Sequence, residues 1–356
     1  MLKNKYTVIG TMSGTSLDGI DLCYVVFDYQ DNKWNSEIIH CETIAYSTAW
    51  EDRLRQAVFA SEEDVKALNV EYTELLVVVY NDFMLRNNIK SVDAICSHGH
   101  TIFHRPELGY TLQIGNLANL ATGTRQRVVC DFRIQDVKLG GQGAPLVPLG
   151  DALLFADYDA CLNLGGFANM SYTDTVGTRL AFDIVAVNTV LNHYANKLGR
   201  SYDDGGLIAR SGTVNSALLK QLNLLPFYDL PAPKSLGIEM VNALLLPIID
   251  SFSCTVEEVL CTYVEHIAFQ IARSIPEFCK NILVTGGGAY HSFLMERLRF
   301  YKPDLAIVVP DSQLINYKEA LVFALLGVLR LENQVNVLAS VTGAFENHSS
   351  GVVFNP

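Results

Sequence analysis

Apolar residues along this chain follow two rhythms. Short runs such as Tyr6, Val8 and Ile9, then Leu22, Tyr24, Val25, Val26 and Phe27, suit buried strands. Leu54, Val58, Val65, Leu68, Leu75 and Leu76 instead recur at helical spacing. The first two runs predict a strand-turn-strand unit over 6–28, joined through 10–21 by glycines, small hydroxyl residues and two aspartates. A helical region over 49–88 follows, then a short strand at 92–96 that ends at Ser97, His98, Gly99 and His100. Further strands are expected at 110–114 and 127–132, and the dense glycines of 140–145 mark a chain reversal or a crossing between domains.

The opening theme returns at 160–183. An apolar run (Cys161, Leu162, Leu164) meets the turn Gly165-Gly166, a second strand returns, and a third over 179–182 ends at Asp183. Helices are expected at 185–198 and 255–275, the latter with Thr255 and Glu258 at capping-box spacing. A strand over 281–285 runs into Gly286, Gly287 and Gly288, and a helix at 291–300, a strand at 306–309 and a helix at 317–331 complete the pattern. Strands alternating with helices argue an α/β class, and the repeated opening suggests two related lobes facing a cleft.

Composition narrows this picture without redirecting it. A chain of 356 residues exceeds one ordinary core. Its formal charge of −12 argues against a nucleic-acid partner, which needs a basic stripe. No apolar run reaches the length of a membrane span, and the start reads as leading straight into a strand rather than through a signal peptide. The eight cysteines include no C-x-x-C pair and read as thiols in a reducing, cytoplasmic setting.

Several residues could carry chemistry. Backbone N–H groups and hydroxyls in the 10–21 turn suit phosphate oxygens, and a nearby carboxylate suits magnesium. Asp183, at the end of its strand, could serve as a general base or as an N-cap, and Asn188 could take the capping role instead. On a strand, His98 and His100 would share a face; with His104 they invite a zinc reading, but no third-ligand spacing accompanies them. Substrate hydrogen bonding by His98, Thr101 and Arg105 is favoured, with Arg105 suited to a carboxylate. Glu319, read as opening the last helix, could complement the helix dipole or act as a site acid.

Taken together, Met12-Ser13-Gly14-Thr15-Ser16-Leu17-Asp18-Gly19, Ser97-His98-Gly99, Gln113-Ile114-Gly115, Asp131-Phe132-Arg133, Gly140-Gly141-Gln142-Gly143-Ala144-Pro145, Asn163-Leu164-Gly165-Gly166, Phe182-Asp183, Pro233-Lys234-Ser235 and Gly286-Gly287-Gly288-Ala289 resemble the anhydro-N-acetylmuramic acid kinase family. The resemblance implies a two-lobed actin-like ATPase (sugar kinase) fold of duplicated ribonuclease H-like lobes around a central cleft. It sets one lobe at 1–134 plus about 345–356 and the other at 135–344. It implies an enzyme that opens 1,6-anhydro-N-acetylmuramic acid with water and phosphorylates O6 from ATP with Mg2+, serving peptidoglycan recycling, and it implies a homodimer.

On that resemblance, Asp183 and Glu319 are the catalytic candidates. Gly14, Thr15, Ser16, Leu17, Asp18, Gly19, Ile20 and Asp21 hold the nucleotide phosphates, and Gly286, Gly287 and Gly288 border the adenosine. His98, Thr101, Arg105, Gln113, Gln142 and Asn169 contact the sugar, and Asp18 or Asp183 holds the metal. The chain departs from the family where Thr-Gly-Pro-Gly-Asn becomes Ile184-Val185-Ala186-Val187-Asn188, where the Gln of Ser-His-Gly-Gln becomes His100, and where the Asp of Gln-Ile-Gly-Asp becomes Asn116. These changes leave open a divergent member with the same reaction, another anhydro-sugar, or a nucleotide-binding protein with little catalysis.

Overall fold

The structure is a computed structural model that describes residues 3–14 and 17–356. Among them are the strands β1 (Lys5–Ser13), β2 (Ile20–Gln30), β3 (Lys33–Ile44), β4 (Ala94–Arg105), β5 (Tyr110–Ile114), β6 (Val128–Cys130), β7 (Ala160–Leu164), β8 (Phe167–Thr173), β9 (Arg179–Ala186), β10 (Asn281–Thr285), β11 (Ala306–Val308) and β12 (Val352–Phe354). The helices that matter below are α1 (Thr48–Gln56), α2 (Glu62–Arg86), α3 (Val147–Leu154), α4 (Asn188–Asn196), α5 (Val256–Ser274), α6 (Ser292–Tyr301) and α7 (Ser312–Leu331). The chain divides into one unit of Met1–Leu154 with Tyr317–Pro356 and a second of Phe155–Asn316.

In the first unit the sheet runs β12-β6-β4-β1-β2-β3, with β5 paired to β4. The β1–β2 and β2–β3 pairs are antiparallel, while β1–β4 and β4–β6 are parallel. In the second unit the sheet runs β11-β10-β7-β8-β9, with β7–β8 and β8–β9 antiparallel and β7–β10 and β10–β11 parallel. The order and direction β3-β2-β1-β4-β6 thus repeat as β9-β8-β7-β10-β11. The Gly-rich turns at the two openings head the same ribonuclease H-like arrangement twice.

Each sheet is held by helices whose apolar faces it buries. Val65, Leu68, Tyr72, Leu76, Tyr80 and Phe83 of α2 join Ile9, Ile95 and Ile114 in one core. In the second unit, Leu260, Tyr263, Val264, Ile267 and Ile271 of α5 join Leu162, Leu164 and Val284. The Thr255–Glu258 capping box is formed in both directions, which fixes where α5 starts and contributes about 1 kcal/mol. Among the described residues, no helix is long and apolar enough to cross a membrane.

Four readings of local structure are corrected. The helical region at 49–88 is α1 and α2 separated by a short 3-10 turn, Ala57–Phe59. Strand β4 does not stop at His100 but continues to Arg105, because Gly99 adopts φ +74 and the strand takes β5 as partner from His100 on, where its pairing with β1 ends. The helix expected from 185 begins at Asn188, and β9 extends through Ala186. Glu319 lies two turns inside α7 rather than at its opening, so the helix-dipole role does not apply to it.

Candidate functional site

In the first unit the site is built from the β1–β2 turn, β4, the 133–143 segment and α7. Gly10 lets β1 meet α7 backbone to backbone: a Cβ there would lie 2.0 Å from the Ala320 carbonyl oxygen and 2.7 Å from Ala324 Cβ. The residue before Ala320 is Glu319, so this close approach sets Glu319 beside the turn. The turn closes through the Leu17 N–H, which donates to the Gly14 carbonyl at 3.3 Å, with Leu17 at φ +62. Thr15 and Ser16, two of the expected phosphate contacts, lie outside the described residues.

Carboxylates crowd this turn. Asp21 accepts a 2.6 Å hydrogen bond from Thr43 Oγ1. Its pKa is nonetheless pushed up to about 6, first by burial and then by the charges of Asp18 and Glu319. Glu319 keeps exposed surface. Enclosure by surrounding protein still raises its carboxyl above the usual range, while Lys318 and Arg133 pull it down. Lys318 itself is buried and paired to Asp151 of α3 at 2.8 Å. Below the turn, Ser13 Oγ contacts Tyr46 Oη at 2.6 Å and His100 Nδ1 at 2.8 Å. Burial lowers His100 to about 4, so the ring is neutral at ordinary pH.

The histidines of β4 do not share a face. His98 packs its ring 4.7 Å from Phe323 of α7, while His100 faces Tyr46 and Tyr72. The positive φ at Gly99 breaks the two-residue alternation between them. His98 is not open to a ligand: its Nε2 accepts from Arg133 Nε at 2.8 Å and its Nδ1 donates to the Gly99 carbonyl at 3.0 Å. Burial and the Arg133 charge hold its pKa well below the ordinary value.

Gln113 is buried as well, donating to Thr111 Oγ1 at 2.9 Å and to Thr101 Oγ1 at 3.4 Å. Arg105 is exposed at the far end of β4, seven residues on from His98 and beyond the break in the strand at Gly99. The structure therefore joins Thr101 to Gln113 but separates Arg105 from His98. Gln142 has an exposed side chain, and its backbone N–H donates to Thr342 O at 2.8 Å.

Sequence reasoning missed the pair that shapes this region. Arg133 Nη1 donates to the Gly143 carbonyl at 2.7 Å, and the buried Asp136 carboxylate accepts the Gly143 N–H at 2.6 Å. Asp136 also accepts from Thr342 Oγ1 at 2.7 Å. One residue of the glycine loop is thus gripped on both sides by opposite charges three positions apart. Burial lowers the Arg133 guanidinium to about 10, against the pull of Glu319 and Asp136. The available signal was that Arg-x-x-Asp spacing, one helical turn, just ahead of a glycine-rich loop.

In the second unit four polar residues line up across four strands. Thr285 pairs with Asn163, Asn163 with Asn169, and Asn169 with Asp183. Residues directly opposite share a face, so the row joins two of the expected site residues, Asn169 and Asp183. Asp183 lies inside β9, not at its end, and it is not an N-cap. Neither is Asn188, which is the first residue of α4; Val187 occupies the cap position, with no capping side-chain bond.

A bulge explains the placement of Asp183. Ala168 pairs with Val185 and Asn169 with Asp183, so Ile184 is an extra residue. It allows Asp183 to face the polar row while Phe182, Ile184 and Val185 all join the core. The segment that departs from the family pattern therefore packs inward.

The Asp183 carboxylate accepts the Leu236 N–H at 2.8 Å, and its own N–H donates to the Lys234 carbonyl at 2.9 Å. Burial raises its pKa, and the Leu236 N–H opposes the rise. A partly buried carboxylate with a raised pKa is suited to accept a proton. In the triglycine, Gly286 and Gly288 press on the β7 end, where a Cβ would meet Asn163 Oδ1 at 2.6 Å and Leu164 Cβ at 2.8 Å respectively. Gly287 is exposed, with only Asn188 Nδ2 nearby, at 3.7 Å.

A family model described as anhydro-N-acetylmuramic acid kinase matches residues 6–356. The chain is 34% identical to the anhydro-N-acetylmuramic acid kinase of Pseudomonas syringae pv. syringae, over 97% of this chain and 98% of that protein. The enzyme of the same name from Haemophilus influenzae is 33% identical over 97% of each chain. That from Vibrio cholerae is 34% identical over 98% of each. With both lobes, Asp183 and the glycine loop in the matched span, the chain belongs to the anhydro-N-acetylmuramic acid kinase family.

Proposed function

We infer that this chain opens 1,6-anhydro-N-acetylmuramic acid with water and phosphorylates O6 from ATP, giving N-acetylmuramic acid 6-phosphate in peptidoglycan recycling. The observation that carries the reading is the Asp183 carboxylate, inside the span that the family model matches, raised in pKa and set in a polar row. Asp183 takes a proton from the water that attacks the anomeric carbon. The bond from that carbon to O6 breaks, and O6 receives a proton from the Glu319 carboxyl, whose pKa enclosure raises and Lys318 and Arg133 lower. O6 then bonds to the terminal phosphorus of ATP as the bond to ADP breaks and ADP leaves, and the O6 proton returns to the Glu319 carboxylate; the step depends on positioning and charge stabilisation.

The β1–β2 turn is the reading's phosphate cradle, lined by Gly14, Gly19, Ile20, Asp18 and Asp21, with the Leu17 N–H closing the turn on the Gly14 carbonyl. Gly287, with open space over its backbone, borders the adenosine, between the packing glycines Gly286 and Gly288. Magnesium fits the donor chemistry, since such ions take one or two carboxylates plus phosphate oxygens. Asp18 would hold it, with Asp183 as the alternative, and it would neutralise developing phosphate charge. The upward push of the Asp18 charge on Asp21 is the crowding that a divalent cation relieves. Thr101, Gln142 and Asn169 contact the sugar, Arg105 offers a fork of donors to a carboxylate, and His98 and Gln113 act behind the surface by holding Arg133 and Thr101.

Eight free thiols support a reducing, cytoplasmic setting, and the family supports a homodimer. The second reading, a nucleotide-binding protein with little catalysis, rested on the departure at Ile184 to Val187, which is core packing here. Incubating the protein with ATP, magnesium and the anhydro-sugar tests the choice. A sugar 6-phosphate is the expected product; ATP binding without turnover overturns the reading.

A further inference from the structure

Asp183 sits on β9, the free edge of the second unit's sheet. The segment 227–236 covers that edge at one point. Lys234 O takes the Asp183 N–H at 2.9 Å, and the Leu236 N–H goes to Asp183 Oδ2 at 2.8 Å rather than to a backbone carbonyl. An ordinary strand addition would spend that N–H on the main chain. Here the strap delivers it to the carboxylate.

The strap has its own fastening. Lys234 Nζ donates to the carbonyls of Phe227 and Tyr228, each at 3.2 Å, and stands 4.7 Å from the centre of the Phe227 ring. Tyr228 Oη lies 2.9 Å from His266 Nε2, and His266 Nδ1 lies 2.7 Å from Asn223 Oδ1. His266 is fully buried on α5, and burial lowers it to about 3. The neutral ring therefore donates to Asn223 from Nδ1 and accepts from Tyr228 at Nε2. A continuous series of bonds runs from the core helix α5 through Tyr228 and Lys234 to the Leu236 N–H.

We propose that Lys234 is a positioning residue for the Asp183 carboxylate, its ammonium clamping the 227–236 strap so that the Leu236 N–H stays on Asp183 Oδ2. The proposal rests on the reading of Asp183 as the general base. Lys234 acts through the strap and not by touching the substrate. The groups facing Asp183 are the neutral Asn169 on β8 and the strap itself. The charged neighbours of Lys234 are Asp229 and Arg273, which pair with each other at 2.7 Å. Without the clamp the Leu236 N–H is no longer held on Asp183 Oδ2, and the carboxylate loses a hydrogen bond that fixes its orientation.

The test compares Lys234→Met and Leu236→Pro with the parent enzyme by measuring kcat and both KM values at one pH. Lys234→Met keeps the stem and removes the charge; Leu236→Pro removes the N–H donor and also fixes its own φ, so the two variants disturb the strap by different routes. Both are expected to lower kcat by roughly tenfold, the scale of one hydrogen bond to a charged group. The KM for ATP stays within about twofold, and Lys234→Arg restores kcat. Unchanged kcat in both variants overturns the proposal, as does a loss that Lys234→Arg does not restore. If Lys234→Met does not fold, by circular dichroism, Leu236→Pro alone decides. Asp183→Asn run in parallel separates the two ideas. Full turnover in it overturns the base assignment and the proposal together, while an inactive Asp183→Asn beside unchanged kcat in both strap variants overturns the positioning role alone.

Discussion

Replacing Gly10 by alanine tests how closely the β1–β2 turn and Glu319 depend on one backbone contact. The added Cβ would lie 2.0 Å from the Ala320 carbonyl oxygen and 2.7 Å from Ala324 Cβ. Ordinary contact begins at 3.4 Å, so β1 and α7 must separate by about 1.4 Å. Neither neighbour can swing aside, because one is backbone and the other is a methyl fixed to a helix. Overpacking of this kind costs about 1–3 kcal/mol, which in a unit of this size lowers Tm by roughly 2–12 °C. The functional effect should exceed the loss of stability. Displacing an acid by about 1 Å from its working position can cost on the order of 10²-fold in rate. Thermal unfolding and steady-state turnover, measured well below the new Tm, check both parts. An alanine variant with parental Tm and parental kcat would refute the reasoning, because the strand and helix would then have room that the contact distances deny.

Asp183→Asn should lower turnover by roughly 10²–10⁴ while ATP still binds, as equilibrium dialysis would record. Asp18→Asn should raise the magnesium concentration for half-maximal rate; an unchanged midpoint makes Asp18 structural. Asp21→Asn should stabilise the protein at pH 7.5 by about 1–2 kcal/mol, discounted for partial exposure, and have little effect at pH 4. The sign follows from a folded pKa of about 6 above the ordinary aspartate value of 3.8: the protonated form is favoured by folding, so that contribution is present at pH 4 and lost as pH rises through 6. Equal Tm changes at both pH values would contradict it. Asp136→Ala should cost roughly 2–5 kcal/mol, since the Gly143 N–H and the Thr342 hydroxyl both lose a buried acceptor. Urea melts check this, and a loss below 1 kcal/mol counts against the clamp.

Much of the architecture was legible because local patterns agreed with tertiary demands. The Gly-rich turns at both openings, the capping box at Thr255 and the strand before the triglycine all carry short-range signals, and each formed as expected. What was not legible depended on partners distant in sequence. β3 pairs along its whole length with β2, but its residues, with Lys33, Glu37, His40 and Glu42 outward, lack an apolar run. Gly99 looked like a strand end because a glycine signals a break, yet here it carries β4 from one set of partners to another. Asp183 looked terminal because Ile184 to Val187 could equally begin a helix; pairing with β8 and burial against α5 decide for a strand. The grip of Arg133 and Asp136 on Gly143 could not be read at all without the fold that returns the loop to them.

The row of Thr285, Asn163, Asn169 and Asp183 exists only because four strands hold one register. Side chains alternate with a period of two, so a slip by one residue would turn a strand's contribution into the core. Its members can be exchanged one at a time, and each exchange leaves the other three in place. An added or lost residue within β7, β8 or β10 has no such mild form. The surplus residue Ile184 is the one point where β9 has already absorbed an extra unit of length. Divergence along this row is therefore open to point substitution and closed to changes in strand length.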